Sequence, residues 1–179
     1  MESLFSTEQR IRILQAVIFR TDDVSVNSTA SQLRLSKGLV SKYFRILLKQ
    51  KILKKGKVRL VVSESPSVRA IKILLNIKNI DVRIFSKYPF VIAAGLYGSC
   101  ARGENTEDSD VDLWIRLKNI EETKAASLTS EINKKIKNAK ILILNDRKLD
   151  TIRKEDSMFY HSLAFGSIIL YGDKNAAQI

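Results

Sequence analysis

Gly98-Ser99-Cys100-Ala101-Arg102-Gly103-Glu104-Asn105-Thr106-Glu107-Asp108-Ser109-Asp110-Val111-Asp112-Leu113 stands between two apolar runs of the chain. Gly98 lets the backbone turn sharply and come close to a ligand, Ser99 adds a hydroxyl and an amide, and Arg102 follows about one helical turn later. A strand ending in such a turn can cradle phosphate. Asp110 and Asp112 alternate with Val111 and lead into Leu113-Trp114-Ile115, so as strand residues at i and i+2 they point to one face. Two carboxylates pressed together repel unless a cation sits between them, and hard oxygen ligands favour magnesium or manganese. A Gly-Ser turn alone is common, and Asp-x-Asp alone often marks a solvated strand end. Their conjunction at this spacing is much rarer.

Working outward, Pro89 precedes the continuous apolar run Phe90 to Tyr97, which suits a buried strand. Val68 to Lys87 carries Val68, Ile71 and Leu75 at helical intervals, and Pro66 can begin that helix at its first turn. Downstream, Ile120 to Asn138 reads as a helix and Lys140-Ile141-Leu142-Ile143-Leu144 as a strand without an acid; Asp146 and Asp150 lie beyond it. Ser63-Glu64-Ser65-Pro66-Ser67 is the natural boundary. The expected organisation is a domain over 1–64, a connecting helix over 65–89 and a second domain over 90–179.

The net charge of +12 is unevenly spread. Residues 1–64 hold thirteen Lys/Arg against five Asp/Glu, and from Val24 to Ser63 there are ten basic side chains and no acidic one. A one-signed block of this kind reads as a surface for a polyanion. Within it, Ile11, Leu14 and Ile18 space a first helix over Thr7 to Phe19; Ser28 or Thr29 caps a short second helix; Ser36 opens a third with Val40, Phe44 and Leu47 on one face. Lys37, Ser41, Lys42 and Arg45 lie on the opposite face. Ile52-Leu53-Lys54 and Lys57 to Val62 form two strand-like runs hinged at Lys55-Gly56. Three helices followed by a hairpin tipped with Lys55 and Lys57 resemble the winged helix-turn-helix domains of prokaryotic regulators, which implies double-stranded DNA as a partner and, since two-fold sites match two-fold proteins, a homodimer.

Residues 98–113, preceded by one apolar strand and running into another, resemble the DNA-polymerase-β-like nucleotidyltransferase superfamily, in particular its minimal nucleotidyltransferases. The resemblance spans about Phe90 to Tyr171. It implies an enzyme in which Gly98 and Ser99 contact the β- and γ-phosphates of a nucleoside triphosphate such as ATP. Asp110 and Asp112 would bind two Mg2+ or Mn2+ ions, and Arg102 and Ser109 would support the loop or the phosphates. A hydroxyl of a protein or small molecule then attacks the α-phosphate. Fully equipped members carry a third carboxylate on a neighbouring strand, where this chain has an aliphatic run, so either Asp146 or Asp150 reaches back to serve as the third catalytic acid, with Asp146 the nearer candidate, or the site works with two carboxylates, or activity is weak or lost. Minimal nucleotidyltransferases are often paired with small helical HEPN ribonucleases, which makes an antitoxin role or a nucleotide-sensing regulator the alternative to a free-standing enzyme.

The fold class expected is α/β (α+β): an N-terminal winged helix domain followed by a nucleotidyltransferase fold with a mixed sheet flanked by helices. One cysteine, Cys100, and one histidine, His161, exclude an internal disulfide and a structural zinc site. His161 reads as a packing residue, and nothing local marks Cys100 as a nucleophile. No apolar run reaches the roughly 18 residues of a membrane span, and Met1 to Arg10 lack the order of a signal peptide, so a cytoplasmic protein is expected.

Overall fold

The structure is a computed structural model that describes residues 2–57, 59–118 and 122–172. Two compact units divide the chain: residues up to Lys72 with Thr106–Asp108, and Ile73–Asn105 with the chain from Ser109 onward.

In the first unit, α1 (Glu2–Phe5) precedes α2 (Glu8–Ile18). The Thr7 side chain accepts from the Arg10 N–H and starts α2, which buries Ile13, Leu14, Val17 and Ile18. α3 (Val26–Leu33) begins earlier than expected. Ser25, rather than Ser28 or Thr29, is its cap: Ser25 Oγ accepts the Ser28 N–H at 3.1 Å. α4 (Lys37–Lys49) starts at Ser36 as expected and turns Val40, Tyr43, Phe44 and Leu47 inward. That leaves Lys37, Lys42 and Arg45 exposed and Ser41 half-buried. β1 (Leu53–Lys55) and β2 (Leu60–Val62) pair antiparallel, with Lys55 opposite Leu60. The second strand is shorter than the expected 57–62, because the Gly56 N–H donates to the Arg59 carbonyl at 2.7 Å and closes a turn there. Lys55 and Lys57 are exposed; Val58 lies outside the described residues.

α5 (Pro66–Lys78) and α6 (Arg83–Ser86) replace the single helix expected over 68–87. The break is local chemistry: the Asp81 carboxylate accepts from the Arg83 N–H at 3.1 Å and from its guanidinium at 2.8 Å, competing with the helical ladder. The second unit continues with β3 (Val91–Leu96), α7 (Gly98–Arg102), β4 (Val111–Leu117) and α8 (Glu122–Lys135). Of the helix expected over 120–138, Ile120 lies outside the described residues and α8 ends at Lys135. β5 (Ala139–Leu144), α9 (Asp146–Glu155), α10 (Ser157–Gly166) and β6 (Ile168–Tyr171) complete the unit.

The four strands form one mixed sheet in the order β5-β4-β3-β6. β3 runs antiparallel to both β4 and β6, while β4 and β5 are parallel. Each face of the sheet is covered, in accord with the apolar run of β3. On one face Ile84, Phe85, Leu96, Leu113, Ile115, Leu128 and Ile132 are packed together. On the other, Ala93, Trp114 and Leu144 meet Leu149 of α9 and Leu163 of α10. Gly95 faces Trp114 across the strand pair, and a Cβ there would collide with the indole. Among the described residues no helix is long and apolar enough to cross a membrane.

Candidate nucleotide site

The Gly98-Ser99 turn is the junction of β3 with α7. Gly98 has φ of +68°, in the left-handed region where a side chain is strained, and a Cβ there would run into the Asp112 carboxylate. Glycine therefore does two things at once: it turns the chain and leaves Asp112 open to the turn. The Tyr97 N–H donates to the Asp112 carbonyl at 3.0 Å, which locks the turn to β4. Ser99 and Ser109 are half-buried. The Cys100 thiol donates to the Asp110 carbonyl at 3.4 Å, and burial pushes that thiol up to about 11, so it is structural at neutral pH. Arg102, at the end of α7, forms an ion pair with Glu104 at 2.8 Å.

A pair of asparagines, buried Asn105 and half-buried Asn76, holds the loop that follows. Asn76 of α5 donates to the Cys100 carbonyl and to Asn105 Oδ1, both at 2.9 Å, and accepts from Asn105 Nδ2 at 3.1 Å. Nothing in the local sequence distinguishes these residues from solvated polar ones.

Asp110 and Asp112 come together at the start of β4. Asp112 is raised from the ordinary carboxylate range by burial, a shift opposed by the Lys140 charge, reinforced by Asp110 and opposed by Arg102. Lys140 was not singled out from the sequence, yet its ammonium lies 2.6 Å from Asp110 Oδ2. Its signal was present: it is the single charge in an otherwise aliphatic strand. The described residues contain no cluster of three His, Cys, Asp or Glu side chains suited to a metal ion. Two carboxylates, one of them already paired with Lys140, would suit a divalent ion that took its remaining ligands from phosphate and water.

Asp146 does not join them. β4 and β5 run parallel with Asp112 opposite Lys140 and Arg116 opposite Leu144. Asp146 follows β5 at its far end, roughly 13 Å along the strands at about 3.3 Å per residue. It begins α9, has an 87% exposed side chain and pairs with Arg116 at 2.9 Å. Asp146→Asn is therefore expected to change nucleotide affinity less than twofold by calorimetry. Its effect on stability should stay below about 1 kcal/mol, the range of an exposed ion pair. A loss of transfer of 10²-fold or more would restore Asp146 to the site.

The sequence profile of the family described as Polymerase beta, Nucleotidyltransferase matches residues 78–174. No curated protein matches the chain. Among solved structures, a nucleotidyltransferase assigned from Sulfolobus solfataricus is 15% identical with a TM-score of 0.41, covering 63% of this chain and 93% of that one. A mutant of the toxin–antitoxin pair MntA-HpeT is 10% identical with a TM-score of 0.40, over 54% of this chain and 73% of that one. A toxin–antitoxin structure with AMP-PNP is 15% identical with a TM-score of 0.38, over 63% and 78%.

Proposed function

Since the chain belongs to the Polymerase beta nucleotidyltransferase family, we propose that its second unit moves a nucleoside monophosphate from a nucleoside triphosphate to a hydroxyl of a protein or small molecule. The observation that carries this reading is the approach of Gly98 to Asp112, which sets the turn after β3 directly against the carboxylate of Asp112. Gly98 and Ser99 would hold the β- and γ-phosphates, and Arg102 and Ser109 would support them. Asp110 and Asp112 would hold a magnesium or manganese ion. When bound, that ion neutralises charge developing on the phosphates. The acceptor oxygen forms the new bond to the α-phosphorus as the bond to the bridging oxygen breaks and pyrophosphate leaves. The acceptor proton would pass to water, since Asp146 pairs with Arg116 at the far end of β5. Catalysis of this kind rests on positioning and charge neutralisation.

The test is incubation of the protein with α-labelled nucleoside triphosphates and magnesium, with cell lysate and with a HEPN-type ribonuclease as separate acceptor sources. Label on a discrete acceptor together with pyrophosphate release supports the reading. Nucleotide binding without label in any arm would favour a nucleotide sensor instead.

A second reading concerns the first unit, which we propose is a winged helix domain that binds double-stranded DNA. Its support is the exposed row Lys37, Lys42 and Arg45 on α4, with Ser41 among them and Lys55 and Lys57 exposed on the hairpin. Binding should weaken steeply with salt as counterions are released. Arg45→Ala is expected to cost roughly 1–3 kcal/mol on a preferred sequence if the guanidinium reads a base edge, and to act equally on all sequences if it meets phosphate. Titration at low salt with no detectable DNA binding would remove this reading.

A further inference from the structure

Side chains alternate along a strand, so with Asp112 opposite Lys140 on parallel neighbours, Lys140 shares the aspartate face of the sheet. Packing supports the assignment: Leu142, two residues on, packs against the cluster of Trp114, itself two residues on from Asp112. The neighbouring strand thus does send a third charged side chain to the aspartate pair, and its sign is positive. The ammonium sits 2.6 Å from Asp110 Oδ2 while the side chain remains 67% exposed, so it reaches the carboxylate from the solvent side, where a phosphate would enter. A divalent ion shared by both aspartates would have to displace this ammonium or lie beside it, and like charges at such separations repel strongly in a half-buried site. Two divalent ions, about 3.5–4 Å apart in sites that use a pair, would meet two carboxylates and a third cation.

We propose that Lys140 is a built-in cation that occupies the Asp110 side of the site, so that the chain binds a nucleoside triphosphate with one divalent ion, held through Asp112, and with the Lys140 ammonium against the phosphates. This rests on the proposed transferase reading and amends its metal ligation, since Lys140 rather than the ion neutralises Asp110. Lys140 is then a positioning residue that replaces part of the metal charge without any metal to recruit.

The experiment counts bound Mn2+ by electron paramagnetic resonance and calorimetry in the full chain, alone and with a non-hydrolysable ATP analogue. The parent should bind one Mn2+ per chain in both conditions. Lys140→Met should bind Mn2+ at least tenfold more tightly without nucleotide, because Asp110 is released, and should bind the analogue more weakly at low Mn2+. Lys140→Glu should admit a second ion, seen as a spin-coupled pair. Lys140→Gln, which keeps a polar side chain, serves if the methionine variant misfolds. Two ions in the nucleotide-loaded parent, or a Mn2+ affinity within twofold of the parent in both neutral variants, would overturn the inference while leaving the transferase reading intact. A Lys140-dependent Mn2+ affinity in a chain that binds no nucleotide would support the built-in cation and count against transfer.

Discussion

Asp112→Asn is expected to lower nucleotidyl transfer by roughly 10²–10³-fold, about 2.7–4 kcal/mol of lost transition-state stabilisation, with the fold retained. The substitution preserves size and keeps the backbone bond from the Tyr97 N–H, so what it removes is charge. That charge faces Gly98, where the phosphates would lie, and it is the carboxylate whose oxygens are not engaged with Lys140. Asp110→Asn should be milder by about tenfold, because that carboxylate is already neutralised by Lys140 and holds less of the ion. Single-turnover rates with calorimetric nucleotide affinities measure both. Transfer by the Asp112 variant at more than a tenth of the parent rate would end the assignment of Asp112 as the principal metal ligand.

The second large effect concerns stability. Trp114 is the largest fully buried side chain of the chain, in the middle strand pair, packed on Ala93, Leu144, Leu149 and Leu163. Trp114→Ala is expected to destabilise the second unit by about 3–5 kcal/mol, lost contacts plus the cavity left behind. In a unit of roughly 100 residues that corresponds to a drop of more than about 10 °C in its melting midpoint. Trp114→Phe should cost much less: it retains most of the volume and removes an indole N–H that has no hydrogen-bond partner among the described residues. Gly95→Ala should cost roughly 1–3 kcal/mol by overpacking against the indole. Most of that cost should vanish in the Trp114→Ala background, since the two positions share one space. Denaturant melts of the four proteins provide the cycle. Additive costs would show that the Gly95 approach to the ring is not what limits that position.

Local features proved readable from sequence wherever one residue type had one physical job. Ser36 starts α4, the apolar run after Pro89 is β3, and Gly98 has the positive φ its turn requires. The mixed sheet flanked by helices follows from those runs together with the family resemblance. What the sequence could not reveal was register. Asp146 stands six residues from Lys140 in the chain, close enough to suggest a reach back to the aspartates, yet Lys140 to Leu144 run straight along β5 and put Asp146, at the start of α9, at the other end of the strand. Lys140 stood out as the single charge of its strand, but only the β4–β5 pairing reveals that it faces Asp112. The break at Asp81 was hidden for another reason: apolar periodicity continues across it, and only the side-chain contacts with Arg83 interrupt the helix.

Among the described residues β5 pairs on one side only, with β4, and so leaves a row of backbone N–H and carbonyl groups along the outer edge of the sheet. Four consecutive residues of it, Ile141 to Leu144, are aliphatic, a composition with high tendency to add strands from other molecules and grow into fibrils. Lys140 is the charge stationed on that edge, and a row of stacked copies would bring like charges within one strand spacing, roughly 4.8 Å. The same ammonium that pairs with Asp110 therefore guards the chain's solubility. Neutral variants at this position should be handled dilute, with light scattering alongside every titration, and the glutamate variant should remain the best behaved of the three.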